Sequence, residues 1–253
     1  MCLGSCLLMQ NRLVRREDVV AVTKDCKQSS PLTQVIIATW NEEEGIGLTV
    51  AELMDTLDSP RVLVVDGRST DRTLEVAKHL GADVLCQDGL GKGDAIAKGI
   101  AHIDPTVDYV VLTDADYTYA AGYVPQMIQI LEKNSDVGMV CGNRFNGYQE
   151  KTARSSIFYI GNRLIAFTHK LLNGITLDDP LTGLRVVRAR ILRGWKVKSK
   201  GFDIEVELNQ HVEREGFRIV EVPIKYRERL GEKKLGAKNG IEILKRIILE
   251  TTY

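Results

Sequence analysis

Short runs of apolar and β-branched residues alternate with longer stretches of helical periodicity along the first half of the chain. Val35–Thr39, Val62–Asp66, Asp83–Cys86 and Tyr109–Asp114 have the length and composition of buried strands. Between them the spacing predicts helices near Glu43–Leu57, Thr70–Leu80, Asp94–Ile103 and Gly122–Lys133. Ser69 or Thr70 is placed to cap the second helix, with Asp71 in its first turn favouring the dipole. Such regular alternation implies an α/β fold with a mostly parallel, doubly wound central sheet and right-handed crossovers. Beyond Asp116 the pattern loosens. Strands are expected at Val137–Phe145, Arg185–Val187 and Arg218–Tyr226, and longer helices at Ile157–Leu172 and Phe202–Glu215.

The tail Gly240–Tyr253 sets Ile241, Leu244, Ile247 and Ile248 on one helical face, with Lys245 and Arg246 beside it. That stripe suits either core packing or a helix lying on a membrane surface. With no internal repeat and no linker rich in Pro, Gly or Ser, the chain divides into three parts. Residues 1–30 form an extension without assigned role, 31–239 one continuous domain, and 240–253 the amphipathic tail helix.

Composition adds exclusions rather than a function. Of 253 residues, 44% are hydrophobic and 27% charged, enough for a sizeable core. Lys plus Arg and Asp plus Glu both total 34, so net charge gives no ground for a nucleic-acid partner. Between Lys225 and Arg246, however, eight basic residues face three glutamates. This local bias suits phosphates or an anionic membrane surface, and equally a solvated helix and loop. Cys2, Cys6, Cys26, Cys86 and Cys141 contain no CxxC pair, so a reducing cytosol fits better than a disulfide framework or a zinc site. No apolar run approaches the length of a spanning helix, and the first nine residues lack the basic start of a signal peptide.

The chemistry concentrates where strands end. Tyr109-Val-Val-Leu-Thr-Asp-Ala-Asp116 runs a buried strand straight into two aspartates one residue apart. Open α/β sheets bind ligands at the carboxyl edge, where this turn emerges. There Asp114 and Asp116 can converge on one hard divalent cation, Mg²⁺ or Mn²⁺, leaving coordination positions for a diphosphate. Alone, Asp-x-Asp is as much at home in a solvated turn. Its neighbours shift the balance: Ala38-Thr-Trp-Asn-Glu42 after the first strand, Asp66-Gly-Arg-Ser-Thr-Asp71 after the second, the glycine-rich turn Gly89–Asp94, and Gly142-Asn-Arg-Phe145 after the fifth. Carboxylates after successive strands can accept from base N–H groups and ribose hydroxyls, and a helix amino end favours anions. Neither a Walker A loop nor a GxGxxG fingerprint is present. His79, His102, His169 and His211 lack metal-ligand spacing.

These ordered blocks, with the later Asp179-Pro-Leu-Thr-Gly-Leu-Arg185 and Glu221-Val-Pro-Ile224, resemble the inverting family 2 glycosyltransferases of the GT-A fold. Within that family the run from Val35 to Leu244 looks most like the dolichyl-phosphate mannose and hexose synthases. The resemblance implies an enzyme moving a hexosyl unit from a nucleotide sugar, GDP-mannose or a UDP-hexose, to dolichyl or another polyprenyl phosphate. By it, Ala38, Trp40, Glu42 and Asp66 line the nucleoside pocket, and Lys92 and Ala115 complete the nucleotide-sugar site. Asp114 and Asp116 hold the metal, with Thr118 as a weaker ligand, and Arg144 approaches the phosphates. Arg229 and Lys234 lie in a basic loop over donor and acceptor phosphates, and Arg154 is a candidate for the acceptor phosphate.

Several positions depart from the family pattern. Ala38 and Trp40 stand for the usual Pro and Tyr, Tyr117-Thr118 for Leu-Gln, and Asp203 for a lysine that some members carry. Asp178 or Asp179 is either a base for a hydroxyl acceptor or a residue that shapes the turn at 180–183. Transfer to a saccharide hydroxyl, sugar-phosphate nucleotidyl transfer, and nucleotide-sugar binding without catalysis are the competing functions. The expected partners are the two substrates and a membrane surface, reached by peripheral contact on the cytosolic face or through an anchoring subunit.

Overall fold

The computed structural model describes residues 31–145, 157–232, 234 and 237–251. Within them a seven-stranded sheet is assembled from β1 (Thr33–Thr39), β2 (Arg61–Asp66), β3 (Asp83–Cys86), β4 (Tyr109–Asp114), β5 (Val137–Asn143), β6 (Arg185–Arg188) and β7 (Arg218–Pro223). Their spatial order is β3-β2-β1-β4-β6-β5-β7. All pairings are parallel except those of β6, which runs antiparallel to β4 and β5. The expected α/β architecture with a mostly parallel sheet is present. The reversal of β6 is additional, since Arg185-Val-Val-Arg188 carries no mark of direction.

Helices cover both faces of the sheet. On one side α1 (Glu43–Thr56), α2 (Thr73–His79) and α4 (Val124–Lys133) pack on Ile37, Val64 and Val111. On the other, α3 (Lys92–Ala101), α6 (Ala189–Leu192) and α7 (Ile204–Arg214) pack on Ile36, Val65 and Val110. Neighbouring residues of β1 thus feed opposite cores, which is why this strand reads as an unbroken apolar run. A third cluster joins α5 (Ile157–Asn173), α7 and α8 (Ala237–Glu250) through Ile165, Val206, Ile243 and Ile247. Arg246 reinforces it, pairing with Asp203 of the turn before α7 at 2.8 Å.

Several boundaries move, each for a local reason. α2 starts at Thr73 rather than Thr70, because Ser69 is drawn into a turn on Asp66 instead of capping the helix. The Thr73 amide is satisfied by Asp71 Oδ1 at 3.0 Å. β7 stops at Pro223, which has no amide hydrogen and sits on an edge strand. The expected strand to Tyr226 survives only as an isolated bridge between Tyr226 and Tyr119. The tail helix begins at Ala237, earlier than residue 240, and packs its Ile243 and Ile247 inward.

Candidate active site

The carboxyl ends of β1, β2 and β4 each turn sharply into the loops that follow. Asn41, Arg68 and Tyr117, just beyond those ends, all adopt left-handed backbone with φ of 50°, 66° and 63°. Asn tolerates this conformation; Arg and Tyr do so at a cost of order 1–3 kcal/mol each, and such residues cluster at functional sites. The turns are stitched together. The Asn41 amide donates to Ser69 Oγ at 2.8 Å, the Thr70 amide to Asn41 Oδ1 at 2.8 Å, and the Tyr117 amide to Thr49 Oγ1 at 3.1 Å.

Asp114 and Asp116 lie in the turn after β4. Helix α1 presses its Gly45 against that turn: a Cβ there would sit 2.6 Å from the Ala115 carbonyl oxygen and 2.7 Å from Asp116 Cα. Gly183, just before β6, does the same for the Asp114 carboxylate, whose Oδ2 lies 2.4 Å from where its Cβ would be. The backbone has been cleared around both acids.

Their charges are balanced by cations from distant segments. Lys92 Nζ, at the start of α3, lies 2.7 Å from Asp114 Oδ1 and 2.6 Å from Glu205 Oε1 of α7. Arg229 Nη1 contacts Asp116 Oδ2 at 2.5 Å, and its Nη2 pairs with Glu42 Oε1. Lys234 Nζ reaches the same Glu42 oxygen at 2.6 Å, the Asn41 carbonyl at 2.7 Å, and the Trp40 ring 5.7 Å away. The two aspartates therefore differ. Burial works against the charge of Asp114, yet the Lys92 ammonium overcomes it and holds the carboxyl below the usual range. Burial pushes Asp116 up, and the charge of Asp114 adds to this. Glu42 is raised by burial as well, although Lys234 and Arg229 pull the other way.

A cleft of about 930 Å³ opens over this turn, of the size that takes a substantial ligand. Ala38, Trp40, Glu42, Lys92, Asp114, Ala115, Asp116, Arg144, Arg229 and Lys234 all line it, so ten positions expected from the sequence meet at one cleft. Two others do not. The Asp66 carboxylate is fully buried and turned to Ser69, whose amide and hydroxyl it accepts at 2.9 and 2.5 Å. It is not among the residues lining the cleft, although the adjoining Gly67 is. Thr118, also enclosed, donates its hydroxyl to Asp116 Oδ1 at 2.6 Å and so orients that acid rather than standing free as a metal ligand. Arg154 lies outside the described residues.

Arg144 lines the cleft but is anchored from behind. Asp179, wholly buried, accepts from Arg144 Nε and Nη2 at 2.7 Å each and from its amide at 3.0 Å. A carboxylate so engaged is a support, not a base. Glu205, Gln87, Tyr119, Phe202 and Tyr226 also border the cleft and were not anticipated. Glu205 has the burial and ion pair of a functional residue, yet in sequence it is one glutamate in the first turn of an amphipathic helix.

An oxygen-only pair of acids suits a hard divalent cation. The fit is supported by charge: among the described residues at the cleft, Asp114, Asp116, Glu42 and Glu205, with Asp179 behind Arg144, meet Lys92, Arg144, Arg229 and Lys234, leaving one negative charge in excess. Among the described residues no group of three or more His, Cys, Asp or Glu forms a metal cage, so remaining ligands would come from substrate or water.

The model for glycosyl transferase family 2 matches residues 34–195, from β1 through α6 and across the whole strand edge just described. The chain belongs to glycosyl transferase family 2. This family 2 glycosyltransferase is 36% identical over 219 residues to the dolichyl-phosphate hexose transferase of Haloferax volcanii, an alignment covering 83% of the chain and 92% of that relative. It is 33% identical over 215 residues to the undecaprenyl-phosphate mannosyltransferase of Micrococcus luteus, covering 79% of the chain and 86% of the relative. Among solved structures, glucosyl-3-phosphoglycerate synthase from Mycobacterium tuberculosis, in complex with Mn²⁺, uridine diphosphate and phosphoglyceric acid, superposes with a TM-score of 0.69 at 20% identity. That match covers 87% of this chain and 78% of the other and establishes a shared GT-A-like fold.

Proposed function

We propose that this glycosyltransferase moves a hexosyl unit from a nucleotide sugar to a polyprenyl phosphate such as dolichyl phosphate, inverting the anomeric centre. The observation that carries the proposal is the mixed lining of the cleft. Lys92, Arg144, Arg229 and Lys234 line it with the aspartate pair, and Ile165, Leu181, Phe202 and Ile243, which pack together as one apolar cluster, line it as well. A phosphate joined to an apolar chain matches both at once. The names of the Haloferax and Micrococcus relatives point to the same acceptor class.

Asp114 and Asp116 are the residues that would hold Mg²⁺ or Mn²⁺, which when bound supplies Lewis-acid relief for the departing diphosphate. The chain's own groups do the rest. Trp40 offers a ring face to the nucleobase beside Ala38, and Lys234 closes over it. Arg144, held by Asp179, presents a guanidinium that cannot swing away, which favours bidentate contact with phosphate. Together the four cations offset repulsion between two phosphorylated substrates, a requirement that weighs more in a water-poor cleft. A phosphate acceptor is anionic at neutral pH and needs no general base. Asp179 is committed to Arg144, and its neighbour Asp178, the other candidate base, pairs with Arg163 and is not among the residues lining the cleft.

The lipid acceptor bears on location. No helix among the described residues is long and apolar enough to cross a membrane. Instead α5 exposes Ile160, Leu164, Phe167 and Leu171, at 60%, 55%, 63% and 69% of their surfaces, in one stripe at helical spacing. Ile241 and Ile248 extend it on α8, with Lys170 and Lys245 exposed nearby. The inner faces of the same helices line the cleft through Ile165 and Ile243. Peripheral contact through this face would set the cleft mouth at the depth of a lipid phosphate.

The deciding experiment supplies the purified protein with Mn²⁺, a panel of radiolabelled GDP- and UDP-hexoses, and polyprenyl phosphate in detergent. Label should pass into organic solvent and be released by mild acid with one of the donors. It should vanish in Asp116→Ala. Transfer to a saccharide with none to the lipid would sink the proposal.

A further inference from the structure

Each aspartate of the turn after β4 shares its basic partner with a glutamate from elsewhere in the chain. Lys92 bridges Asp114 and Glu205, and Arg229 bridges Asp116 and Glu42. Both glutamates are buried, with side chains 8% and 7% exposed, and both border the cleft. The symmetry is informative because an ammonium 2.7 Å from a carboxylate oxygen occupies the place a divalent cation would take on that oxygen. When the aspartates ligate through those oxygens, Lys92 and Arg229 must yield. A released cation with no second acceptor would stay beside the ion and repel it, or leave the phosphate site altogether. Here a second acceptor is already in contact.

We infer that Glu205 is a positioning residue that takes over Lys92 when Asp114 engages a divalent cation, keeping the ammonium at the edge of the diphosphate site, and that Glu42 does the same for Arg229. The inference rests on the reading that Asp114 and Asp116 bind that cation. It gives Glu42 a task distinct from lining a nucleoside pocket. It also explains why α7, otherwise remote from the donor side, reaches into the cleft with a carboxylate.

The test is equilibrium Mn²⁺ binding to the purified full chain, read by the electron paramagnetic resonance of free Mn²⁺. Glu205→Gln, folded by circular dichroism, should bind Mn²⁺ roughly 10- to 100-fold more weakly, because Lys92 then rests on Asp114 alone. In the Lys92→Met background the same change should leave affinity unaltered, since nothing remains to be taken over. An equal loss in both backgrounds would mean a through-space charge effect and would overturn the inference, as would no loss in Glu205→Gln. Glu42→Gln against Arg229→Met repeats the cycle on the second pair should Glu205→Gln not fold. Wild-type protein that binds no Mn²⁺ would remove the metal reading itself, whereas binding indifferent to both glutamates would remove only this one.

Discussion

Replacing Asp179 by Ala removes the counter-charge of a buried guanidinium, and the structure sets the size of the effect. Asp179 is fully enclosed and the Arg144 side chain is only 18% exposed, so little water can enter to replace three lost hydrogen bonds. Breaking a buried pair by deleting one partner costs about 3–5 kcal/mol. In a domain of this length each kcal/mol lowers the melting temperature by about 2–4 °C, so a fall of roughly 6–20 °C is expected. The adjacent Asp178 is the internal control. Its pair with Arg163 is half exposed on both sides, and Asp178→Ala should cost less than about 1 kcal/mol. Thermal melts followed by circular dichroism measure both. An Asp179→Ala protein that melts with the wild type yet has lost turnover would refute the reasoning and return Asp179 to candidacy as a base.

Other perturbations probe other parts of the molecule. Gly183→Ala places a methyl 2.4 Å from Asp114 Oδ2, so the carboxylate must turn; turnover should fall on the order of 100-fold with the fold retained, and an unchanged rate in a transfer assay would contradict this. Phe167→Glu with Leu171→Glu alters only exposed positions, so each should change stability by less than about 0.5 kcal/mol while abolishing sedimentation with anionic vesicles. Retained vesicle binding would remove α5 from the membrane face. Burial, with the Arg185 charge adding, holds the pKa of His169 below its usual value, against the hydrogen bond its ring Nδ1 donates to Asn173 Oδ1. The unfolded chain therefore takes up the proton first: stability is full above about pH 6.5 and is lost as pH falls toward the folded pKa. His169→Gln should lessen the drop in melting temperature between about pH 7.5 and about pH 5.5, and an identical drop would exclude His169 as its source.

The strands were readable because a central parallel strand must be apolar on both faces, as Ile36 and Ile37 show by entering opposite cores. The aspartate pair was readable because it follows such a run directly. The engagement of Asp66 was not legible in the same way: its carboxylate has a near partner in Ser69, and short-range turns of this kind compete with an outward role. Glu205 was hidden for the opposite reason. Its partner Lys92 lies more than a hundred positions away, and the two are brought together by the segment before α7, whose Ser199 and Lys200 backbone packs on Gly91 and Gly93 at the start of α3. Asp179 left two readings open in sequence, support or base, and its triple engagement by Arg144 favours the first.

The antiparallel course of β6 has a consequence for how such a site is furnished. Among strands pointing one way, each contributes to a given rim only the residues that follow it. A strand inserted backwards between β4 and β5 contributes those that precede it, and so delivers Asp179 and Gly183 to the rim where Asp114 and Arg144 emerge. One inverted ribbon thereby enriches the working side of the sheet with chain that grips the strand exits from behind.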